Sequence, residues 1–265
     1  MTGLSDYAGR YRCLRMERDD DGVLVVRLHT EGGPFAFDEP THHVLGEAFD
    51  AICDDPGNKV VVLTGTGDAF CTGADGASFA GARAAGPDAL WVRLRRDGDR
   101  MLRSFVDIGV PVIAVINGPV AAHSELPLLA DVVLAADDVS FSDPNHYLGG
   151  LPPGDGMHIV WTQLVGLNRA RYFLMTGQHI KADEALQLGL VAELLPRAAL
   201  LPRALEIART WAALPEWTRR NTRAVLNQPW RKALAAELYS GLTMEAIASL
   251  SQRPAPLDRA AGPGN

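Results

Sequence analysis

Six side chains in this sequence could do acid–base work: His42, His123, Glu125, His146, Asp155 and Glu245. Imidazole changes charge near neutral pH, and a carboxylate beside it fixes its tautomer and raises its basicity. His123 stands two residues before Glu125, at a helix start after a Pro-containing turn, where the positive end of a helix dipole would favour an anion. His146 stands nine residues before Asp155, across a Gly- and Pro-rich loop ending in Pro153-Gly154-Asp155-Gly156, so spacing alone does not bring the two together. His42 and His43 are neighbours; on a helix they point about 100° apart, so at most one faces a cleft. Glu245 lies among Leu242, Met244, Ile247 and Ala248. Each residue also has a plain structural reading. His123 could be a cap or surface residue, His146 and Asp155 exposed loop polars, Glu125 a first-turn acid and Glu245 an exposed helix residue. His158 and His179 are expected to bond locally or face solvent, and His29 to close a strand. No pair of histidines has HExxH or comparable spacing, so no metal is expected.

Composition narrows the function classes. The sequence is 47% hydrophobic and 22% charged, the make-up of a globular protein with a sizeable core. A net charge of −7 argues against a general nucleic-acid binder, which would carry a basic stripe, and against an anionic membrane surface as partner. Arg93, Arg95, Arg96, Arg100 and Arg103 recur at helical spacing among Asp97 and Asp99, and read as a solvated or interface helix face. Three widely spaced cysteines, Cys13, Cys53 and Cys71, fit a reducing compartment and supply no metal or disulfide framework. Met1 to Asp20 lacks the apolar core of a secretory signal, and no apolar run approaches the roughly 20 residues of a membrane span. A cytoplasmic protein is expected.

These side chains need elements to hold them. Cys13–Arg18 and Val23–His29 alternate in polarity around Asp19-Asp20-Asp21-Gly22, which predicts a hairpin. A helix is predicted over Thr41–Cys53. Lys59–Thr64, Pro111–Ile116 and Val132–Ala136 are apolar runs of strand length, buried on both faces. A helix over Asp88–Ile108 and a short one after Pro119 separate them, which argues for crossover connections and a mainly parallel sheet. Beyond Gly156 only Leu190–Leu195 reads as strand. The last helix is predicted over Arg231–Leu250, and the Pro-, Ala- and Gly-rich stretch Arg253–Asn265 as disordered. The turn from Gly65 to Gly73 has Phe70 where a dinucleotide fingerprint needs its third glycine, and no GKS or GKT follows. Its glycines would instead let a backbone N–H approach an oxyanion.

Three ordered stretches carry a family resemblance. LTGTGDAFCTGAD (Leu63–Asp75), PVIAVINGPVAAHSELPLLAD (Pro111–Asp131) and FSDPNHYLGGLPPGDG (Phe141–Gly156) resemble successive elements of the crotonase (enoyl-CoA hydratase/isomerase) superfamily. TGQHIKADEALQLGLVAELL (Thr176–Leu195) resembles the stretch before that family's C-terminal helices. The resemblance implies an α/β fold, a spiral of ββα repeats over residues 1–195. A C-terminal helical trimerisation region of the same domain would cover 196–252, and a tail 253–265. It implies a homotrimer or dimer of trimers, and the Ala74 N–H as an oxyanion donor.

The departures from the family pattern are informative. Family hydratases have a glycine run where this chain reads Ala121-Ala122-His123. They deliver water with two glutamates: the first maps to Glu125, the second to Asn145, whose amide exchanges no proton near neutral pH. One branch matches the new residues, the β-diketone hydrolases resembling 6-oxocamphor hydrolase. The match lies in His123 within GPVxxHxE, in His146 and Asp155 leading into PGDG, in His42 and in Glu245. That resemblance implies retro-Claisen cleavage of a cyclic β-diketone, a small-molecule substrate, with no cofactor. His146 would activate water with Asp155 behind it, His123 would donate to the enolate oxygen, and Glu245 and His42 would orient substrate or reprotonate carbon. Phe37 and Phe79 are the expected substrate-binding aromatics. The Cys71–Asp75 segment keeps the general superfamily form, and Phe37 stands where that branch has a larger aromatic. The alternative is an enoyl-CoA hydratase or isomerase acting through Glu125 on a coenzyme A thioester.

Overall fold

The turn at Asp19–Gly22 reverses the chain between strands β1 (Leu14–Arg18) and β2 (Val23–Leu28), which pair antiparallel. Gly22 permits the reversal: its φ is +84°, and a Cβ there would lie 2.9 Å from the Gly57 carbonyl oxygen. β3 (Val60–Thr64), β4 (Val112–Ile116), β5 (Val132–Ala136) and β8 (Glu193–Leu195) join in parallel, in the order β1-β2-β3-β4-β5-β8. The computed structural model describes residues 3–251, except the side chains of residues 82, 83, 87, 90 and 251. The predicted tail from Arg253 lies outside the described residues.

Every residue of β3 and β4 is buried, because each strand serves two cores. Val60, Val62, Ile113, Val115, Leu134 and Ala136 pack against Leu200, Ala204 and Ala208 of the Arg197–Ala212 helix. The alternate residues Val61, Leu63, Val112, Ala114, Ile116 and Ala135 face a larger core containing Phe49, Leu102 and Phe105. A full burial of such a side chain contributes roughly 1.5–3 kcal/mol, so a two-sided layer anchors the strand ends from which the site loops spring.

Between each long strand and the following helix the chain makes a short second pairing. Phe37, after β2, bridges Ala74; Cys71, after β3, bridges Val120; Val120, after β4, bridges Phe141. Phe141 belongs to β6 (Ser140–Phe141), which pairs with β7 (Ile180–Lys181). This is the ββα spiral expected. The two-residue β7 is too short to leave a periodic signal.

Two predicted helices are interrupted. The Asp88–Ile108 prediction resolves into Pro87–Arg93, a π turn Leu94–Gly98 and Asp99–Asp107. The last helix resolves into Gln228–Ala233, a π turn Leu234–Leu238 and Tyr239–Ser251. A π turn inserts one residue into the helical repeat and rotates the next helical segment about its axis. The arginines of the first segment are mostly paired: Arg93 with Glu39, Arg96 with Asp97, Arg100 with Asp50 and Arg103 with Asp99. Among the described residues no helix is long and apolar enough to cross a membrane.

Candidate active site

The Glu39–Asp54 helix brings the first histidine. Its N-cap Asp38 accepts a hydrogen bond from the Thr41 N–H at 3.1 Å, and Pro40 occupies the first turn. That start turns His42 inward, where it is only 8% exposed. His43 points outward to Glu47 and Asp97, each at 3.2 Å.

His123 comes after the turn that ends β4. Its φ is +49°, in the left-handed region that a side chain adopts at a cost of roughly 1–2 kcal/mol. The backbone here has a glycine conformation, which accounts physically for the glycine run expected at this place. Three groups surround the ring. Nδ1 lies 2.7 Å from Glu125 Oε1 and 3.3 Å from Asp155 Oδ2, and Nε2 lies 3.1 Å from His42 Nε2. The helix after it, Glu125–Leu128, is a single turn, so the helix dipole invoked from sequence has little length to act through. The Glu125 carboxylate, fully buried, supplies the negative charge instead.

His146 is held on both sides. Asp143 places its two oxygens 2.8 and 2.9 Å from Nδ1, and Asp155 Oδ2 lies 3.3 Å from Nε2. The sequence places Asp155 behind the imidazole by resemblance; in the structure Asp143 has that position, and Asp155 faces the other nitrogen. Sequence reasoning misses Asp143 because Asp143-Pro144 reads as a turn former. The Asp-x-x-His spacing is the available signal. Asp155 Oδ2 thus lies between His123 and His146, and joins the two imidazoles. Glu245 completes the group from the C-terminal helix. His146, Asp155 and Glu245 each bring an atom within 4.8 Å of the others, as do His123, Glu125 and Asp155. Either triple has the donor set of a divalent-cation site, which linear spacing does not reveal.

Burial and charge set the protonation states. Burial, then the neighbouring His123, push His42 down to about 3, so it is neutral. Burial also opposes charge on His123, but Glu125 in contact and Asp155 outweigh it and raise the pKa to about 9. His146 is opposed by burial and lifted well above the usual imidazole range by Asp155 and Asp143. Asp155, despite burial, is held well below the usual carboxylate range by His146 and His123. Burial raises Glu125, against the pull of His123. Burial and then Asp155 push Glu245 up to about 8, so it carries its proton near neutrality. One oxygen of Glu125 and one of Glu245 are buried without a protein partner.

The surrounding wall is aromatic and amide. The Phe37 ring centroid lies 4.0 Å from that of His123 and 5.1 Å from that of His42, and Phe79 lies 6.1 Å from His42. Phe37 N–H donates to Gly73 O at 2.9 Å and Asp75 N–H to Phe37 O at 2.7 Å; the Ala74 N–H between them has no acceptor among the described residues. Asn145 donates through Nδ2 to Ala121 O at 3.4 Å. His158 bonds Pro153 O at 2.8 Å and His29 accepts from Gly32 N–H at 3.1 Å, both local contacts away from this group.

The sequence profile of the enoyl-CoA hydratase/isomerase family matches residues 18–251. A hydroxycinnamoyl-CoA hydratase-lyase from Pseudomonas fluorescens is 30% identical over 213 residues, covering 78% of this chain and 75% of that protein. The structure of a β-diketone hydrolase from the cyanobacterium Anabaena, bound to (S)-3-oxocyclohexyl acetic acid, is 38% identical with a TM-score of 0.89, covering 93% of this chain and 97% of that one. An enoyl-CoA hydratase/isomerase from Mycobacterium paratuberculosis is 26% identical with a TM-score of 0.82, covering 90% and 94%.

Proposed function

The chain belongs to the enoyl-CoA hydratase/isomerase family, and we propose that within it the protein hydrolyses a carbon–carbon bond of a cyclic β-diketone. The observation that carries this reading is the placement of His123. Its ring takes one oxygen of Glu125, the residue a hydratase would use, at 2.7 Å, and meets Asp155 and His42. The likeness to the Anabaena β-diketone hydrolase supports it.

In the proposed reaction, water bound at His146 beside Asp155 gives its proton to the free-base His146 Nε2 and adds to one carbonyl. The tetrahedral intermediate collapses to a carboxylic acid and expels the other ketone as an enolate. The His123 imidazolium transfers its Nε2–H hydrogen bond from His42 to the enolate oxygen, and the Ala74 N–H donates to the same oxygen; one such donor is worth about 3 kcal/mol. Glu245, protonated near neutrality, returns a proton to carbon. Phe37 and Phe79 wall the substrate, and the product is a keto acid formed without a coenzyme. Assembly as a homotrimer or dimer of trimers is part of the same reading, and light scattering measures it; Trp217, Val225 and Leu226 are exposed apolar side chains on the Glu216–Leu226 helix.

Purified protein assayed by absorbance against a bicyclic β-diketone and against crotonyl-CoA tests the reading. Turnover of the diketone with none of the thioester is the expected result. Thioester turnover alone would overturn it and return Glu125, with its free Oε2, to the centre of a hydratase mechanism.

A further inference from the structure

Two buried carboxylates contact His146, and they meet different nitrogens. Asp143, only 3% exposed, has both oxygens at Nδ1, at 2.8 and 2.9 Å, and its Oδ1 also accepts the His146 backbone N–H at 3.4 Å. Asp155 meets Nε2 and shares the same oxygen with His123 Nδ1. His123, from the loop after β4, and Glu245, from the C-terminal helix, also interact electrostatically with His146.

A carboxylate has no proton to donate, so a ring nitrogen held against it must carry the hydrogen, and the charged ring carries one on each side. Asp143 meets Nδ1 with both oxygens at 2.8 and 2.9 Å whereas Asp155 meets Nε2 with one at 3.3 Å, so the ring that loses one proton keeps the closer Nδ1–H and has its lone pair on Nε2, where Asp155 and Glu245 converge. The loop is built to hold Asp143 still. Pro144 restricts it to extended backbone. Ser142 N–H donates to Val120 O at 3.0 Å, and Leu151 N–H closes back on His146 O at 3.0 Å. At Gly149 a Cβ would lie 2.8 Å from Pro144 O, so the loop packs its backbone closely there.

We propose that Asp143 is a positioning residue of this site: it clamps the His146 imidazole at Nδ1 so that Nε2 alone takes up the proton. What the ring then does with that proton rests on the β-diketone hydrolase reading; how the ring is held does not. An Asn at this position could turn its amide N–H toward Nδ1 and stabilise the wrong tautomer, a change that lowers kcat by about 10⁴ in a serine protease.

The experiment is a ¹⁵N-imidazole NMR titration of the full chain without substrate, wild type and Asp143→Asn, alongside kcat against pH. In the wild type, His146 should keep its Nδ1 proton and lose the Nε2 proton as pH rises. In Asp143→Asn the His146 pKa should fall by about one unit or more, the acid limb of kcat should move with it, and kcat should drop on the order of 100-fold with KM changed less than about 3-fold. A wild-type neutral ring protonated on Nε2 would overturn the proposal without any variant, as would an Asp143→Asn protein with an unmoved His146 pKa. Because the titration needs no substrate, it decides the role of Asp143 even if the diketone proves not to be turned over.

Discussion

His42 and His123 meet nitrogen to nitrogen, Nε2 to Nε2 at 3.1 Å, between the Glu39–Asp54 helix and the loop after β4. A single proton must lie between two such nitrogens. With His42 pushed down to about 3 and His123 raised to about 9, His123 is the donor and His42 the acceptor. The oxyanion donor of the proposed reaction is therefore pre-charged, and the neutral His42 imidazole holds its Nε2 proton until the enolate oxygen takes that place.

Loss of the His123 ring should remove transition-state stabilisation more than binding. His123→Ala is expected to lower kcat about 100-fold or more with a small change in KM. Ala and Gly at this position both leave Glu125 unpaired, so comparing them isolates the backbone. With φ at +49°, His123→Gly should be the more stable variant by about 1 kcal/mol in a denaturant titration. Equal stability would remove the strain argument.

The proposed active form needs His146 as free base, Glu245 protonated and His123 as imidazolium. His146 is held well above the usual range, so kcat should climb with pH through neutrality; it should fall above about 8 as Glu245 loses its proton, and further above about 9 as His123 does. Glu125→Gln removes the anion at His123 Nδ1 and should move the alkaline limb to lower pH. A profile with its optimum on the acid side of neutrality would contradict both assignments.

Glu245 links activity to stability. Its folded-state pKa is about 8, against an ordinary value of 4.5, so between those values the folded protein binds the extra proton. Stability should therefore fall as pH rises from about 4.5 to about 8, by up to roughly 1.4 kcal/mol per pH unit. Glu245→Gln abolishes that loss, and its Tm relative to wild type should be higher at pH 8 than at pH 5. The same Tm difference at both pH values would show that Glu245 is ionised in the folded protein.

Gly154 and Gly241 let the Asp155 loop and the helix bearing Glu245 touch through their backbones. A Cβ at Gly241 would lie 2.4 Å from Gly154 O and 2.5 Å from His158 Cε1. Gly241→Ala should push the helix away, with a loss of about 1–3 kcal/mol in denaturant titrations. kcat should fall under conditions where the variant remains folded. An unchanged kcat would mean that the glycine contact does not set the Glu245–Asp155 approach.

Much of the fold and of the site is legible in the sequence, and for definite reasons. A run such as Val60–Thr64 has no polar face to give water, so it must be sandwiched, and Asp19-Asp20-Asp21-Gly22 makes a hairpin because Gly22 can take a positive φ. The family motifs, read in order, name His42, His123, His146, Asp155 and Glu245 as candidates. Local pattern does not register a two-residue strand such as β7, or a π turn, which continues a helix rather than ending it.

Tertiary structure alone decided how those side chains meet. His42 and His43 have the same local propensities, and only the cap at Asp38 and the packing of the helix turned one inward. Asp143 and Asp155 are equal as residue types, but the folding of their loops gave one Nδ1 of His146 and the other Nε2. The charges obey the same rule. They depend on burial and on neighbours brought from far along the chain, 81 residues apart between His42 and His123. Through-space electrostatics of that kind leaves no trace in linear order.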